Sequence, residues 1–95
     1  MICLAVTLLA KAGHEQEIKD NFAKLAPLSR KEPGCRMYIA HQLREDPRKF
    51  LVYEQYDDNA ALEFHRNSEH FRLYATNGLY KYVENREAAL YSPLP

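Results

Sequence analysis

Cys35-Arg-Met-Tyr-Ile-Ala-His-Gln-Leu43 and Phe50-Leu-Val-Tyr-Glu-Gln-Tyr56 are the two stretches that decide the fold. The first alternates, with Cys35, Met37, Ile39, His41 and Leu43 on one face and Arg36, Tyr38, Ala40 and Gln42 on the other. The second places Phe50, Val52, Glu54 and Tyr56 opposite Leu51, Tyr53 and Gln55. A period of two is the signature of a strand. Asp46-Pro47-Arg48-Lys49 between them is a turn, and so short a connection makes the pair an antiparallel hairpin.

Before the hairpin, Ile2 to Ala10 is aliphatic on both faces and reads as a strand, ended by Gly13. A helix is expected from about His14 to Ser29, because Ile18, Phe22, Leu25 and Leu28 recur at steps of four, three and three. Pro27 should kink its last turn, and Glu32-Pro-Gly-Cys35 should break it. After the hairpin, Asp57-Asp58 offers an N-cap for a short helix from about Asn59 to Arg66. Ser68 can cap a second helical stretch from Glu69 to about Val83, weakened at Asn77-Gly78. Glu87 to Tyr91 is a final short strand.

The order β-α-β-β-α-β is the ferredoxin-like, split βαβ pattern, an α+β fold on a four-stranded antiparallel sheet. Both helices cover one face of such a sheet. The other face is apolar in the first strand and half apolar in the hairpin, so it calls for a partner. The economical partner is a second copy, and a homodimer packed sheet to sheet is expected.

Composition bounds the function. At 95 residues the chain is one domain, residues 1–95, and 46% hydrophobic against 27% charged residues argues against disorder. Thirteen basic and thirteen acidic residues cancel, so a nucleic-acid partner is not expected. No apolar run reaches the roughly 18 residues of a membrane helix, and no secretory leader is recognisable, so a cytoplasmic location without membrane association is expected. Cys3 and Cys35 lack CxxC spacing and are expected as buried, reduced thiols.

No metal ligand set is expected. Among His14, His41, His65 and His70 only the last two are close, and five residues apart they do not share a helix face. The three glycines are too scattered for a phosphate cradle, so a dinucleotide cofactor is not expected either. What stands out is the enrichment in aromatic and imidazole side chains. Tyr53 and Tyr56 on the third strand, with His65, His70 and Tyr74 on the helix after it, are expected to line a cavity for a flat aromatic ligand. Each tyrosine also fits as core or rim, and His65, at helical spacing from Ala61 and Leu62, also fits as a hydrogen-bonded core group. Glu54 lies on a face fit for burial, so it must be paired, either with an arginine at the dimer interface or as a general base.

Glu32-Pro-Gly-Cys35, Tyr53-Glu-Gln-Tyr56, Ala60-Ala-Leu62, His65 and Ser68-Glu-His-Phe71, in this order and spacing, resemble the antibiotic biosynthesis monooxygenase domain. The resemblance runs over almost the whole chain and implies the dimeric α+β barrel. It implies an enzyme that oxidises a small phenol, quinol or other enolisable compound with dioxygen, without metal or flavin. His65 is then the catalytic base or anion-stabilising residue, and His70, Tyr53 and Tyr74 bind the substrate. Other branches degrade haem or isomerise a small sugar phosphate. The alternative is therefore a non-catalytic or isomerase-type dimer that binds a small metabolite in the same cavity. The haem-degrading branch uses Asn, Trp and His where this chain has Val6, His65 and Ala75, and the chain has no tryptophan, so that chemistry is not implied.

Overall fold

The computed structural model describes residues 1–95. Its elements are β1 (Ile2–Ala10), α1 (Glu15–Arg30), β2 (Cys35–Gln42), β3 (Lys49–Tyr56), α2 (Asn59–Arg66), α3 (Glu69–Phe71) and β4 (Val83–Tyr91). A π turn (Arg72–Thr76) and a 3-10 turn (Leu79–Tyr82) join α3 to β4. The strands form one sheet in the order β2-β3-β1-β4, and every neighbouring pair is antiparallel. This is the ferredoxin-like α+β architecture that the alternation predicts.

The register defines two faces. Leu4, Val6 and Leu8 stand beside Glu54, Val52 and Phe50, and these face the helices. Ile18, Phe22 and Leu25 of α1 close the core from the other side. Burying side chains of this size contributes roughly 1.5–3 kcal/mol each. The alternate positions Ala5, Thr7, Leu51, Tyr53, Ile39 and Ala89 form the uncovered face.

Four details depart from the sequence-based expectations. First, α1 ends at Arg30, one residue beyond the expected Ser29, with Pro27 in its last turn as expected. The Arg30 guanidinium then donates to the Tyr38 carbonyl at 2.9 Å, fastening the helix end to β2. Second, a bulge between Cys35 and Met37 turns Cys35 to the same inner face as Tyr38, which strict alternation had placed opposite. Third, the stretch expected as helix from Glu69 to about Val83 opens into a wide π turn, where the Asn77 amide reaches back five residues to Arg72 O, and it breaks at the expected weak point, Gly78, before a tight 3-10 turn. Fourth, β4 begins at Val83 rather than Glu87, because Asn85 and Arg86 pair with Leu9 and Leu8 of the central strand.

Cys3 and Cys35 are both buried free thiols. The strands that carry them are separated by β3. No helix is long and apolar enough to cross a membrane.

Candidate active site

Four polar side chains are buried in this small core: Ser29, Glu32, Glu54 and His65. Three of them converge. His65 Nδ1 donates to Glu32 Oε2 at 2.8 Å, and His70 Nε2 donates to the same oxygen at 2.5 Å. On the other side of the ring, His65 Nε2 lies 3.6 Å from Glu54 Oε1, which accepts from the Tyr56 hydroxyl. The order in space is therefore His70, Glu32, His65, Glu54, Tyr56.

Local sequence builds each position. The Glu32-Pro-Gly turn follows α1 directly, its first amides bonding back to Leu28 and Ser29 carbonyls. Gly34 lets that turn press against α2: a Cβ at Gly34 would stand 2.4 Å from the Cβ of Ala61. This close approach brings the Glu32 carboxylate to the His65 ring one turn along α2. The helix itself starts where Asp58 accepts from the Ala61 amide at 2.8 Å. The neighbouring Asp57 is clamped by both nitrogens of Arg36 at 2.5 and 2.7 Å. Asn67-Ser68 then breaks the helix, and Ser68 caps α3 while donating to the His65 carbonyl at 2.7 Å. The change of direction swings His70 back onto Glu32.

The surroundings are aromatic. The His65 ring packs within 5.2–5.6 Å of Tyr38, Tyr56 and Phe71. Beside it lies a narrow cavity of about 30 Å³, lined mainly by apolar side chains together with Glu54, His65, Tyr38, Tyr80 and Arg86. Phe71 and Tyr80 meet edge to face, and the Arg86 guanidinium stands 5.3 Å over the Tyr80 ring. Volume of this order holds a water molecule or a diatomic gas, not an aromatic ring.

The electrostatics follow from burial. Desolvation raises the pKa of Glu54 above the ordinary carboxylate value, opposed by the Tyr56 hydrogen bond and by His65. Tyr38 and Tyr56 are held well above the usual phenol range, first by burial and then by the nearby Glu54 charge. Burial also pushes the Cys35 thiol up to about 11, with Glu32 and Glu54 adding to the shift.

Of the residues singled out in the sequence, the structure brings His65 and His70 together. Glu54 and Tyr56 join them on the other side of the His65 ring, but Tyr53 and Tyr74 do not. Tyr53 precedes Glu54 in the strand and so projects from the uncovered face, where its hydroxyl accepts from Gln55. Tyr74 sits on the π turn with the Lys24 ammonium 5.7 Å over its ring, and it does not line the cavity. Glu54 faces the helices, so it takes its partners from Tyr56 and His65 instead of an arginine across an interface.

Sequence reasoning missed Glu32. The signal was present: proline and glycine account for a turn, but a turn does not require the glutamate before them. The five-residue spacing of His65 and His70 does not exclude a ligand cluster, because it separates ligands only on one continuous helix and these two lie on either side of Ser68. With the helix broken at Ser68 and a carboxylate supplied by α1's end, Glu32, His65 and His70 present three ligand-type atoms within 4.8 Å of one another.

The chain is thus a ferredoxin-like domain with an imidazole buried between two carboxylates beside a small, mainly apolar cavity. The chain belongs to the antibiotic biosynthesis monooxygenase family, whose model matches residues 1–77. It is 27% identical over 78 residues to the "Putative monooxygenase YcnE" of Bacillus subtilis, covering 82% of each chain. The solved structure of PA3566 from Pseudomonas aeruginosa is 35% identical, with TM-score 0.89, covering 99% of this chain and 94% of that one. A solved antibiotic biosynthesis monooxygenase, 23% identical and covering 100% of both chains, shares the fold with TM-score 0.92.

Proposed function

We propose that the protein is a cofactor-independent monooxygenase that oxidises a small phenol, quinol or related enolisable compound with dioxygen. One observation carries this reading: His65 Nδ1 stands 2.8 Å from the Glu32 carboxylate, an acceptor that draws the ring proton to Nδ1 and so frees Nε2 to act as a base beside the cavity. Taking a phenolic proton there makes an imidazolium with carboxylates at 2.8 and 3.6 Å on its two sides. Both stabilise it in a site away from water.

The remaining steps belong to the substrate. The phenolate is electron-rich and forms a carbon–oxygen bond with dioxygen. Cleavage of the oxygen–oxygen bond, with loss of the ring hydrogen, gives the quinone carbonyl. The second oxygen atom leaves as water, so one naphthol and one dioxygen give one naphthoquinone and one water. Ring-sized ligands occupy several hundred Å³. The cavity therefore widens on binding, and the side closed by Phe71 and Tyr80 borders the irregular π and 3-10 turns.

The working unit in this reading is a homodimer. Ile39, Leu43, Leu51 and Tyr91 are large apolar side chains exposed on the uncovered sheet face or its edge. A second copy, sheet against sheet, covers them; a stable pair buries about 800 Å² per partner. The experiment for the activity is dioxygen uptake with hydroquinones and naphthols, with the quinone followed by absorbance. The expected result is one dioxygen consumed per naphthoquinone formed. Equal uptake in the presence and absence of the protein would overturn the proposal.

A further inference from the structure

We propose that Glu32, His65 and His70 form a binding site for one divalent transition-metal ion, and that the bound ion switches the proposed oxidation off. The switching clause rests on His65 being the base; the binding itself does not.

Three observations point to a ligand set rather than to a hydrogen-bonded core alone. The first is convergence: one carboxylate oxygen and two imidazole nitrogens, from three separate elements, lie within 4.8 Å of one another. Around a tetrahedral ion with bonds of about 2.0–2.2 Å, neighbouring ligand atoms stand about 3.3 Å apart. The two nitrogen–oxygen contacts, 2.8 and 2.5 Å, are already shorter than that. Adjustment falls to the two nitrogens. His70 is on a three-residue helix with 18% of its side chain exposed, which leaves it room to move and gives the ion a way in.

The second observation is an orphan. Glu32 is 6% exposed, and its Oε1 has no hydrogen-bond partner although it is fully buried. A buried acceptor without a partner is costly. Ligation through both carboxylate oxygens, or a water held on the ion, satisfies it.

The third is the shell behind His65. A metal-bound histidine nearly always gives its other ring N–H to a carboxylate or carbonyl, which fixes the tautomer. When Nδ1 turns to an ion, the proton moves to Nε2, which lies 3.6 Å from Glu54 Oε1. Glu54 is in turn fixed by Tyr56. The carboxylate behind the imidazole is thus already in place.

Two imidazoles and one carboxylate select zinc, copper, nickel, cobalt or ferrous iron over calcium or magnesium. Occupancy moves the His65 proton to Nε2, the atom proposed as the base, so the metal-bound protein cannot take the phenolic proton.

Equilibrium dialysis of chelator-treated protein against Zn²⁺ tests the binding. The expected result is one Zn²⁺ per chain, with affinity falling at least about tenfold in His70→Gln. Glu54→Gln, which keeps the volume behind His65, should weaken binding by about 10- to 100-fold, as loss of such a support does. Glu32→Gln serves if His70→Gln does not fold. No stoichiometric binding, or affinity unchanged in these variants, overturns the site. Dialysis needs no turnover, so the site stands or falls separately from the proposed reaction. Stoichiometric Zn²⁺ that leaves dioxygen uptake unaffected overturns the switching clause alone.

Discussion

Replacing His65 with Asn isolates the proposed base from its structural role. The Asn side-chain nitrogen falls where His65 Nδ1 stands, so the donor to Glu32, now at 2.8 Å, is retained. Everything beyond it, Nε2 included, is removed. Gln would do the reverse, placing its nitrogen near Nε2 and leaving the Glu32 oxygen without that donor. The stability cost comes from lost packing. The ring touches Tyr38, Tyr56 and Phe71 and is 3% exposed. A void of a few tens of Å³ at about 24 cal/mol per Å³ costs about 1 kcal/mol. Weakened aromatic contacts add about 0.5 kcal/mol or more each. The sum, about 1–3 kcal/mol, lowers Tm by about 5–20 °C in a domain of this size. That is survivable against a total stability of about 5–15 kcal/mol. Turnover should fall by about 10²- to 10⁴-fold, the usual worth of general-base catalysis. Calorimetry gives the first number and dioxygen uptake the second. A folded His65→Asn protein with wild-type turnover would refute the assignment of the base.

Glu54→Gln should raise Tm at neutral pH, because Gln removes the buried charge that desolvation disfavours. Burial raises the folded-state pKa of Glu54, so its stability contribution is complete below the ordinary Glu value and is lost as pH rises through the folded value. The gain over wild type should therefore vanish as pH falls below about 4.3, and a constant difference across pH, measured by thermal melts, would contradict it. Cys35, with its thiol pushed up to about 11 and buried, should resist alkylation at pH 8 until the protein unfolds. Mass spectrometry without reductant should show no label on the native protein and two after unfolding; a two-dalton deficit would reveal a disulfide instead. Leu51→Glu puts a charge in the centre of the uncovered sheet face. Sedimentation at micromolar concentration should show a dimer for wild type and a monomer for this variant, and a wild-type monomer would sink the sheet-to-sheet pairing.

The hairpin and the β-α-β-β-α-β order were legible because a period of two and a stripe at helical spacing are properties of local sequence. Which face of a strand receives the helices is not local. Phe50, Val52, Glu54 and Tyr56 were correctly grouped, yet only the packing of α1 and α2 shows that this face is the inner one. That choice decides between the two readings of Glu54, placing it beside His65 and not at an interface, and it moves Tyr53 away from the cavity. The bulge after Cys35 is invisible to alternation for the same reason: it is one extra residue that the sheet absorbs. His65 was legible from its spacing to Ala61 and Leu62. The break at Ser68 was legible too, but the pairing with Glu32 was not, because it depends on the contact between Gly34 and Ala61, 27 residues apart in sequence.

The most direct test of the account is dioxygen uptake by chelator-treated wild-type protein presented with naphthols and hydroquinones. The account predicts uptake in step with quinone formation without added metal or flavin, with most of it lost in folded His65→Asn. No uptake above the uncatalysed rate, or uptake that appears only on adding a metal or flavin, would contradict it.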